Sequence, residues 1–530
     1  MYIRKLIQKN KNGKERIYLQ LVKSYREGEK VKQKLIANIG RLDELLENGD
    51  IETFITDLSR ILEEEKGKYY VDVTNELSCE DVFEYGMPYL ISALWNRTGL
   101  KNILVQEFEK LKGKDRAERE VEAIFEMVLA RLTDPKSKLA TFNEWRDKYY
   151  FGEEELLSET LDLHDYYRAM DTLSETLEHI EESLFFERRN LFSSTELVFF
   201  DTTSTYFEGE GEEDGIGKYG FSKDHRGDRK QVVISLVVDE HKIPITHKVW
   251  EGNTVDKKAF SETVKELKSR FGVKRAVLVA DRGCVSREII EALVGNNLEY
   301  IVGMKMNLIE VKEVLKDKGE YSKVSDNLYV KEVKVDNKRY IVCFNPEEAT
   351  HEKEKRANII THLKEVTNVK NFIPNRDIKK LIKLESNRIS INEEKVEELE
   401  EYDGKWVLLT NTALSVEEAA ERYKELWKIE DSFETMKTFL KIRPIYHYRE
   451  RRIKAHIALV FLALYSERIL ENLLGNDWNF RRIYNAAQSL KLVKLKADSE
   501  QYLMRTELKE ETKLLIRNLQ MQFPKRLIRL

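Results

Sequence analysis

The pattern of apolar and polar positions divides the chain into strand-like and helical stretches. The first residues alternate as in a β-hairpin, with RIYLQLVKSYR and VKQKLIANIG on either side of the polar turn EGEK. From Leu42 to about Leu191, apolar residues mostly recur at spacings of three and four, as they do on one face of a helix. We therefore predict a β-hairpin unit over residues 1–42 and an α-helical N-terminal domain over residues 43–194.

Short apolar runs typical of buried strands follow this helical region. ELVFFDTTSTY and AVLVADRG each contain four consecutive apolar residues and then an acid, Asp201 in the first and Asp281 in the second. QVVISLVVDE, IPITHKVWEGN and YIVGMKM complete a series of five predicted strands, with helices after the third and the fourth. In this β-β-β-α-β-α order the first and fourth strands are neighbours, so both acids are expected at the same edge of the sheet.

The segment YKELWKIEDSFETMK, residues 423–437, carries two different stripes if it forms one helix. The apolar stripe consists of Leu426, Ile429, Phe433, Met436 and Leu440. The second stripe lies roughly a right angle away and consists of Tyr423, Trp427, Glu430, Glu434 and Lys437. A side chain on the flank of an apolar stripe can face a cleft, so Glu430 is a candidate for chemistry as well as for an ordinary solvated face.

The composition is that of a soluble globular protein with a strongly charged surface, 41% hydrophobic and 35% charged. A length of 530 residues favours two to four domains. Cys79, Cys284 and Cys343 form no CxxC pair, which argues against a zinc site or a disulfide framework and suits a reducing cytoplasm. Residues 1–21 are charged throughout, unlike a signal peptide, and the apolar run at residues 457–465 is too short to span a membrane. We therefore expect a cytoplasmic protein without a membrane segment.

The formal net charge of −5 hides basic patches that suit a polyanionic partner. Residues 1–41 carry twelve Lys or Arg against three Glu, and residues 441–454 carry six Lys or Arg, including Arg451 and Arg452, against one Glu. A glycine-rich loop at residues 209–227 leads into a further basic cluster. The residues of that cluster, taken as candidates for DNA contact or for an ordinary turn surface, include His225, Arg226, Arg229 and Lys230.

Three acids stand out by their position, and together they predict a metal site. Asp201 and Asp281 each end a buried strand, and Glu430 comes from a later helix. Carboxylates brought close together repel one another unless divalent cations lie between them, and hard oxygen ligands suit Mg²⁺ or Mn²⁺. Two such cations can activate a water or a 3′ hydroxyl and stabilise the leaving oxygen of a phosphodiester.

The same residues resemble the signature of the bacterial insertion-sequence DDE transposases of family four and its relatives. The resemblance lies in FFDTTS, VADRG and YKELWKIEDSFETMK, where the family has Tyr, two residues, Arg, three residues, Glu, six residues, Lys. Leu426 stands where the family pattern has Arg, so no arginine contact to DNA is expected from that position. The basic hairpin followed by ANIGRLDEL, the NPEEA segment and RPIYHYRERRIKAH are also similar to one subgroup.

This resemblance implies a fold and a domain order. The expected α/β core is ribonuclease-H-like, with a mixed five-stranded sheet flanked by helices. It would comprise residues 195–306, which hold Asp201 and Asp281, and residues 404–456, which hold Glu430. A β-rich insertion would occupy residues 307–403 and a helical C-terminal region residues 457–530. The hairpin unit and the α-helical domain are the expected places for DNA contact and for recognition of the element ends.

The resemblance also implies roles for individual residues. Asp201 would bind both of two Mg²⁺ or Mn²⁺ ions, and Asp281 and Glu430 would each hold one. Tyr423 and Lys437 would contact the phosphate near the scissile bond, and Arg282 would either neutralise a phosphate or cap a strand. The implied activity is cut-and-paste transposition in the bacterial cytoplasm, by a homodimer that pairs the terminal inverted repeats of the element and joins them to target DNA.

Three other functions compete with this interpretation. FFDTTST resembles the first motif of haloacid-dehalogenase phosphatases, but Thr203 replaces the second Asp, which is the general acid of that family. A metal-dependent nuclease of the same fold would use the same acids. A domesticated, non-catalytic DNA-binding protein is the third alternative, and the presence of all three acids argues against it.

Overall fold

The computed structural model describes most of the chain as two compact units. The described residues are 1–9, 13–28, 30–66, 77–151, 161–188, 196–209, 215–272, 276–283, 286–365, 378, 381–385, 388–497 and 500–530. The first unit comprises Met1–Asp81, Lys494–Met504 and Leu527–Leu530, and the second comprises Val82–Val493 and Arg505–Arg526. Cys284 lies outside the described residues.

Strands and helices both occur from the beginning to the end of the described chain. In chain order, the strands are β1 (Tyr2–Lys9), β2 (Glu15–Glu27), β3 (Lys30–Arg41), β4 (Leu77–Glu84), β5 (Glu196–Tyr206), β6 (Gln231–Asp239), β7 (Pro244–Glu251), β8 (Ala276–Ala280), β9 (Glu299–Gly303), β10 (Ser322–Ser325), β11 (Leu328–Val335), β12 (Lys338–Phe344), β13 (Ile382–Glu385), β14 (Arg388–Ile391), β15 (Lys405–Thr410), β16 (Lys491–Ala497), β17 (Glu500–Arg505) and β18 (Leu527–Arg529). The α-helices are α1 (Leu42–Glu47), α2 (Asp50–Lys66), α3 (Gly86–Arg97), α4 (Leu100–Lys112), α5 (Lys114–Thr133), α6 (Lys138–Ala140), α7 (Leu163–Arg188), α8 (Asp256–Ser269), α9 (Arg287–Gly295), α10 (Ile309–Leu315), α11 (Pro346–Glu365), α12 (Glu393–Glu400), α13 (Val416–Lys424), α14 (Trp427–Glu434), α15 (Glu450–Leu474), α16 (Phe480–Ala487) and α17 (Glu510–Asn518). Two π-helical turns (Thr141–Trp145 and Thr435–Phe439) and a 3₁₀ turn (Arg146–Lys148) complete the helical segments.

The predicted N-terminal hairpin is confirmed and gains a third strand. β2 and β3 pair antiparallel, and β1 pairs antiparallel with β2 on its other side, so the order is β1-β2-β3. The alternation of the sequence explains the pairing, because one face of β2 can be covered while its other face stays in solvent. Val22 is the fully buried residue at its centre.

A nine-stranded mixed sheet organises the second unit, with the order β10-β11-β12-β15-β9-β8-β5-β6-β7. β5, β6 and β7 are antiparallel, whereas β5, β8 and β9 run parallel to one another. The expected neighbouring position of the first and fourth strands, β5 and β8, is therefore confirmed.

The number of strands corrects the five-stranded sheet expected from the sequence. β15 pairs antiparallel with β9 on one side and with β12 on the other. β10, β11 and β12 of the supposed insertion therefore continue the core sheet instead of forming a separate one. The pairing of β12 satisfies the N–H and C=O groups that β15 would otherwise expose at an edge.

The sheet separates two apolar cores, and helices cover both of its faces. Side chains alternate along β5, so Phe199 joins the core that includes α5, α7, α14 and α15, whereas Phe200 joins the core that includes α8 and α9. The apolar run at residues 457–465 is buried in α15, as the sequence predicts. No helix in the described part of the chain is long and apolar enough to cross a membrane.

The C-terminal region is not helical throughout, which corrects a second expectation. β16, β17 and β18 form a four-stranded sheet with β4, in the order β18-β17-β16-β4. LVKLKA and QYLM have the alternation of strands, and their pairing partners, which are distant in sequence, satisfy their backbone groups. The supposed β-rich insertion likewise contains the helices α10, α11 and α12 besides its strands.

Candidate active site

Asp201 and Asp281 lie side by side where two adjacent parallel strands pass the same level of the sheet. Phe200 of β5 is paired with Ala280 of β8, so the acid after each occupies the next position of the register. Burial raises the pKa of Asp201 to about 6, and the carboxylates of Asp256 and Asp281 act in the same direction against the ammonium of Lys223. The site thus concentrates negative charge in partly desolvated surroundings.

Lys223 and Asp256 are two members of this site that the sequence patterns did not single out as partners of the acids. The Lys223 Nζ lies 3.7 Å from Asp201 and 3.9 Å from Asp256, and it donates hydrogen bonds to the Thr202 carbonyl (2.6 Å) and hydroxyl (2.9 Å). The Thr202 hydroxyl in turn donates to Asp256 Oδ1 at 2.5 Å. These residues line a cavity of about 410 Å³ next to Asp201, which Phe221, 86% exposed, also borders.

The segment 423–437 is not the single regular helix that the two-stripe pattern assumes. α13 begins after a capping box formed by Ser415 and Glu418 and ends at Lys424. The hydrogen bonds from Leu426 N to Tyr423 O (3.0 Å) and from Ile429 N to Leu426 O (3.1 Å) span three residues, so the chain tightens before α14 begins. The apolar stripe is nevertheless buried as predicted, at Leu426, Ile429, Phe433, Met436 and Leu440.

α14 packs on the same face of the sheet as Asp201. The ammonium of Lys428 lies 5.6 Å from the ring centroid of Phe199, and Ile429 and Phe433 belong to the same core as Phe199. Because strand side chains alternate, Asp201 faces the side of Phe199. Glu430 is exposed on this helix and forms no hydrogen bond or ion pair with any residue that the structure describes.

Tyr423 and Lys437, at the two ends of the segment, both contact acids near the site. The Tyr423 hydroxyl donates a hydrogen bond to Asp281 Oδ1 at 3.3 Å, and burial, followed by the charge of Asp281, raises the pKa of Tyr423 above its usual range. The Lys437 Nζ lies 2.9 Å from Asp224 Oδ1, which Arg443 also contacts. Burial lowers the pKa of Lys437 although Asp224 acts in the opposite direction.

The remaining candidates for DNA contact are mostly paired with nearby carboxylates. Arg282 is exposed beside Asp281, and His225 is exposed with a left-handed backbone conformation, φ 57°. Arg226 pairs with Asp228 at 2.9 Å, Arg229 lies 3.5 Å from Glu208, and Lys230 is half-buried. Arg451 and Arg452 both contact Asp171, at 3.1 and 3.2 Å. These cations remain candidates for phosphate contact, and several would have to exchange a carboxylate for it.

The acids of the site are of the ligand type that a hard divalent cation prefers. Asp201, Asp281 and Asp256 supply carboxylate oxygens in one region, and their mutual repulsion is part of the reason for the raised pKa of Asp201. Within the described ranges, no group of three or more His, Cys, Asp or Glu side chains is close enough to hold a metal ion. His247 and His456 are buried and hydrogen-bonded to Glu181 and to the Ile442 carbonyl, as expected for structural histidines.

Two family models match the chain. Residues 3–69 match the N-terminal domain of IS1634 family transposases, and residues 193–465 match the transposase DDE domain. The second match covers more than half of the chain and contains Asp201, Asp281 and Glu430. No curated protein matches the chain.

Proposed function

We propose, on the premise that this chain belongs to the DDE transposases of insertion sequences, that it binds the terminal inverted repeats of its element and catalyses metal-dependent DNA strand cleavage and strand transfer. The observation that carries the proposal is that Asp201 and Asp281 directly follow Phe200 and Ala280, which are paired between two adjacent parallel strands, with α14 packed on the face of Asp201. Phosphoryl transfer by carboxylate-held cations needs such a convergence.

The proposed cation ligands are Asp201, Asp281 and Glu430. Asp201 is central in this assignment, and Asp281 and Glu430 each complete one of two Mg²⁺ or Mn²⁺ sites. When bound, the cations would activate the attacking water or 3′ hydroxyl and stabilise the leaving oxygen. The carboxylate of Glu430 is exposed and has no partner among the described residues, so it is free to serve as a ligand of a cation.

Other residues of the chain would orient the acids and the DNA backbone. The Tyr423 hydroxyl restricts Asp281 by its hydrogen bond, and Lys437, which is paired with Asp224, would contact a phosphate of the DNA. Arg282, His225, Arg226, Arg229, Lys230, Arg451 and Arg452 are proposed as contacts to the DNA backbone, where cations contribute affinity without reading the sequence.

The family also suggests a fold type and a partner. The partial order β7-β6-β5-β8-β9, three antiparallel strands followed by two parallel ones, supports a ribonuclease-H-like core extended by β15, β12, β11 and β10. We propose that two copies act together on the two ends of the element. The basic three-stranded sheet of β1, β2 and β3 is proposed to contact DNA, since it carries most of the twelve cations of residues 1–41.

The decisive experiment incubates the full-length protein and Mg²⁺ with short duplexes that carry the inverted repeats flanking its gene. Cleavage at the element end by the wild type, abolished by Asp201→Asn, is the expected result. Metal-dependent cutting that ignores the end sequence would instead indicate a nuclease. Specific binding without cutting by the wild type would indicate a domesticated DNA-binding protein.

A further inference from the structure

A second cavity in the large unit is lined by cations and lies away from the three acids. Its volume is about 530 Å³, and it lies between α6, α7 and the segment that follows Lys437. The basic residues in its lining are Arg131, Lys136, Lys138, Lys441, Arg443, His447 and His456. Such a concentration of basic groups around one space is unfavourable unless anions compensate for it.

Lys138 is the residue of this cavity that most needs an external partner. It is 5% exposed, and its ammonium forms no hydrogen bond or ion pair with any residue in the described ranges. Burial, and after it the nearby guanidinium of Arg131, lowers the pKa of Lys138 well below its usual value. A largely buried lysine that lines a cavity and has no counter-charge is unfavourable for the folded protein, so a residue of this kind points to a missing anion.

Arg131 and His456, which lie around Lys138, are already hydrogen-bonded to other groups of the protein. Arg131 donates to the carbonyls of Leu440 (3.3 Å) and Lys441 (3.0 Å) and lies 3.4 Å from Nδ1 of His456. The His456 Nε2 donates to the Ile442 carbonyl at 3.0 Å. This assignment leaves His456 neutral, in agreement with burial, which lowers its pKa well below the usual value.

No carboxylate among the described residues neutralises the interior of the cavity. Burial and the cations Lys138, Arg452 and Arg131 lower the pKa of His447 to about 3, so this ring is also neutral at pH 7. Lys136 and Arg443 do have carboxylate partners, but these are Asp134 and Glu144 for the first and Asp224 for the second.

We propose that this cavity binds a phosphate group of a DNA strand, with Lys138 as its principal cation. A phosphate oxygen accepts hydrogen bonds from ammonium and guanidinium groups and supplies the charge that Lys138 lacks. Arg131 contributes its positive field, and the exposed side chains of Lys441 and Tyr446 border the entrance. The identification of DNA as the source of the phosphate rests on the proposed function.

The position of Arg443 connects this cavity with the acid region. Arg443 lines the cavity and shares Asp224 with Lys437. A DNA backbone that passes Lys437 would therefore meet Arg443 and then the cavity. The cavity is thereby assigned to another phosphate of the strand that is cut, with a positioning role and no part in bond breaking.

The test compares the full-length wild type with Lys138→Met, Lys138→Arg and the control Lys331→Met. Lys331 is also buried, at 7% exposed, but it has a carboxylate partner, Asp317, at 3.3 Å, and it lies on β11. Thermal unfolding is followed in inorganic phosphate and in chloride at equal ionic strength. Binding of an inverted-repeat duplex is measured by fluorescence anisotropy in EDTA across a range of salt concentrations, so that cleavage plays no part.

The expected results separate Lys138 from a merely structural lysine. Phosphate should raise the unfolding midpoint of the wild type, Lys138→Arg and Lys331→Met, but not that of Lys138→Met. Without phosphate, Lys138→Met should unfold at a higher temperature than the wild type, since it removes an unpaired buried charge. It should weaken duplex binding about tenfold and reduce the slope of log K against log salt by about one.

Each other outcome overturns a defined part of the proposal. A phosphate effect lost in Lys138→Met, together with unchanged duplex binding, would mean that the cavity takes a free anion and not DNA. Equal responses of the wild type and Lys138→Met to both ligands would mean that the cavity is not an anion site. A wild type that binds the duplex through Lys138 but never cuts it in Mg²⁺ would overturn the proposed function and leave the phosphate site standing.

Discussion

The Lys437 ammonium lies 2.9 Å from the carboxylate of Asp224, whose side chain is only 4% exposed. Asp224 follows Lys223, which lies 3.7 Å from Asp201. Two successive residues of one loop therefore join the first acid to the end of the segment that carries Glu430. The second oxygen of Asp224 is buried without a hydrogen-bond partner among the described residues, which leaves this carboxylate dependent on its two cations.

Replacement of Asp224 should destabilise both the loop that carries it and the segment 423–437. Asp224→Asn leaves Lys437 without its ion pair, and we expect the free energy of unfolding to fall by about 3 kcal/mol, with a parallel loss of end cleavage. Asp228→Asn in the same loop is the control, because its side chain is 61% exposed. Denaturant unfolding and cleavage rates are the measurements, and equal stabilities of the two variants would contradict the prediction.

Replacement of Glu430 should abolish end cleavage while leaving stability almost unchanged. Its side chain is exposed and has no partner in the described structure, so Glu430→Gln should change the free energy of unfolding by less than about 0.5 kcal/mol. End cleavage should nevertheless fall below detection, since a cation ligand is lost. Glu434→Gln, an exposed acid one turn further along, should keep its activity. Full activity of Glu430→Gln would remove Glu430 from the catalytic site.

The hydroxyl of Tyr423 should affect stability and cleavage through its hydrogen bond to Asp281. Tyr423→Phe keeps the ring and removes the 3.3 Å hydrogen bond to Asp281, which should lower the free energy of unfolding by about 1 kcal/mol. We expect the variant to need more Mg²⁺ for half-maximal cleavage, because Asp281 is held less firmly. A Mg²⁺ titration of the cleavage rate measures this, and an unchanged midpoint would show that the hydroxyl has no effect on the metal site.

Divalent cations should stabilise the protein through the acid region. At a Mg²⁺ concentration ten times the dissociation constant, the wild type should gain about 1.4 kcal/mol, with binding restricted to the folded state. Asp201→Asn should lose most of this gain, and removal of Mg²⁺ with EDTA should reverse it in the wild type. Calorimetric unfolding with and without Mg²⁺ measures the difference. Equal stabilisation of both proteins would place the cation elsewhere.

Stability should fall as the pH rises through neutrality, because of a buried acid on α5. Burial raises the pKa of Glu126 from 4.5 to about 7, against the opposing effects of Arg146 and Tyr166. The folded protein therefore binds this proton more tightly than the unfolded chain does. The resulting stabilisation is fully present below pH 4.5 and is lost as the pH rises through 7, a change of about 3 kcal/mol.

The variant Glu126→Gln isolates that contribution. The amide does not titrate, so the loss of unfolding free energy between pH 5 and pH 8 should be smaller than in the wild type by about 2.5 kcal/mol. Denaturant unfolding at both pH values gives the comparison, and other titrating groups cancel because both proteins share them. An equal loss in both proteins would show that Glu126 titrates alike in the folded and unfolded states.

Part of the candidate site was accessible from local patterns. Four apolar residues before Asp201 and before Asp281 mark buried strands, and the strand order brings the two acids to one level. The apolar stripe of the Glu430 segment is visible in its spacing and is buried as expected. The capping box of Ser415 and Glu418 is likewise a local pattern, since both residues act within one helical turn.

Other parts of the site depend on residues that are distant in sequence. Asp256 meets Thr202, 54 residues away, and Asp224 meets Lys437, 213 residues away. No spacing rule links such residues, because only the folded sheet and its helices bring them together. Lys138 is the clearest case, since its sequence neighbourhood is that of an ordinary surface lysine and its burial follows from the packing around it.

The sequence by itself determined the family, the buried strands, the two acids that follow apolar runs and the apolar face of the Glu430 segment, because periodicity and short motifs act over a few residues. Asp201 nevertheless lies within β5 and not at its end. The tertiary structure alone decided that the supposed insertion extends the main sheet, that the Glu430 segment tightens at Leu426, and that Asp224 holds Lys437. These features depend on hydrogen-bond and charge partners that are far apart along the chain, and burial makes such partners obligatory.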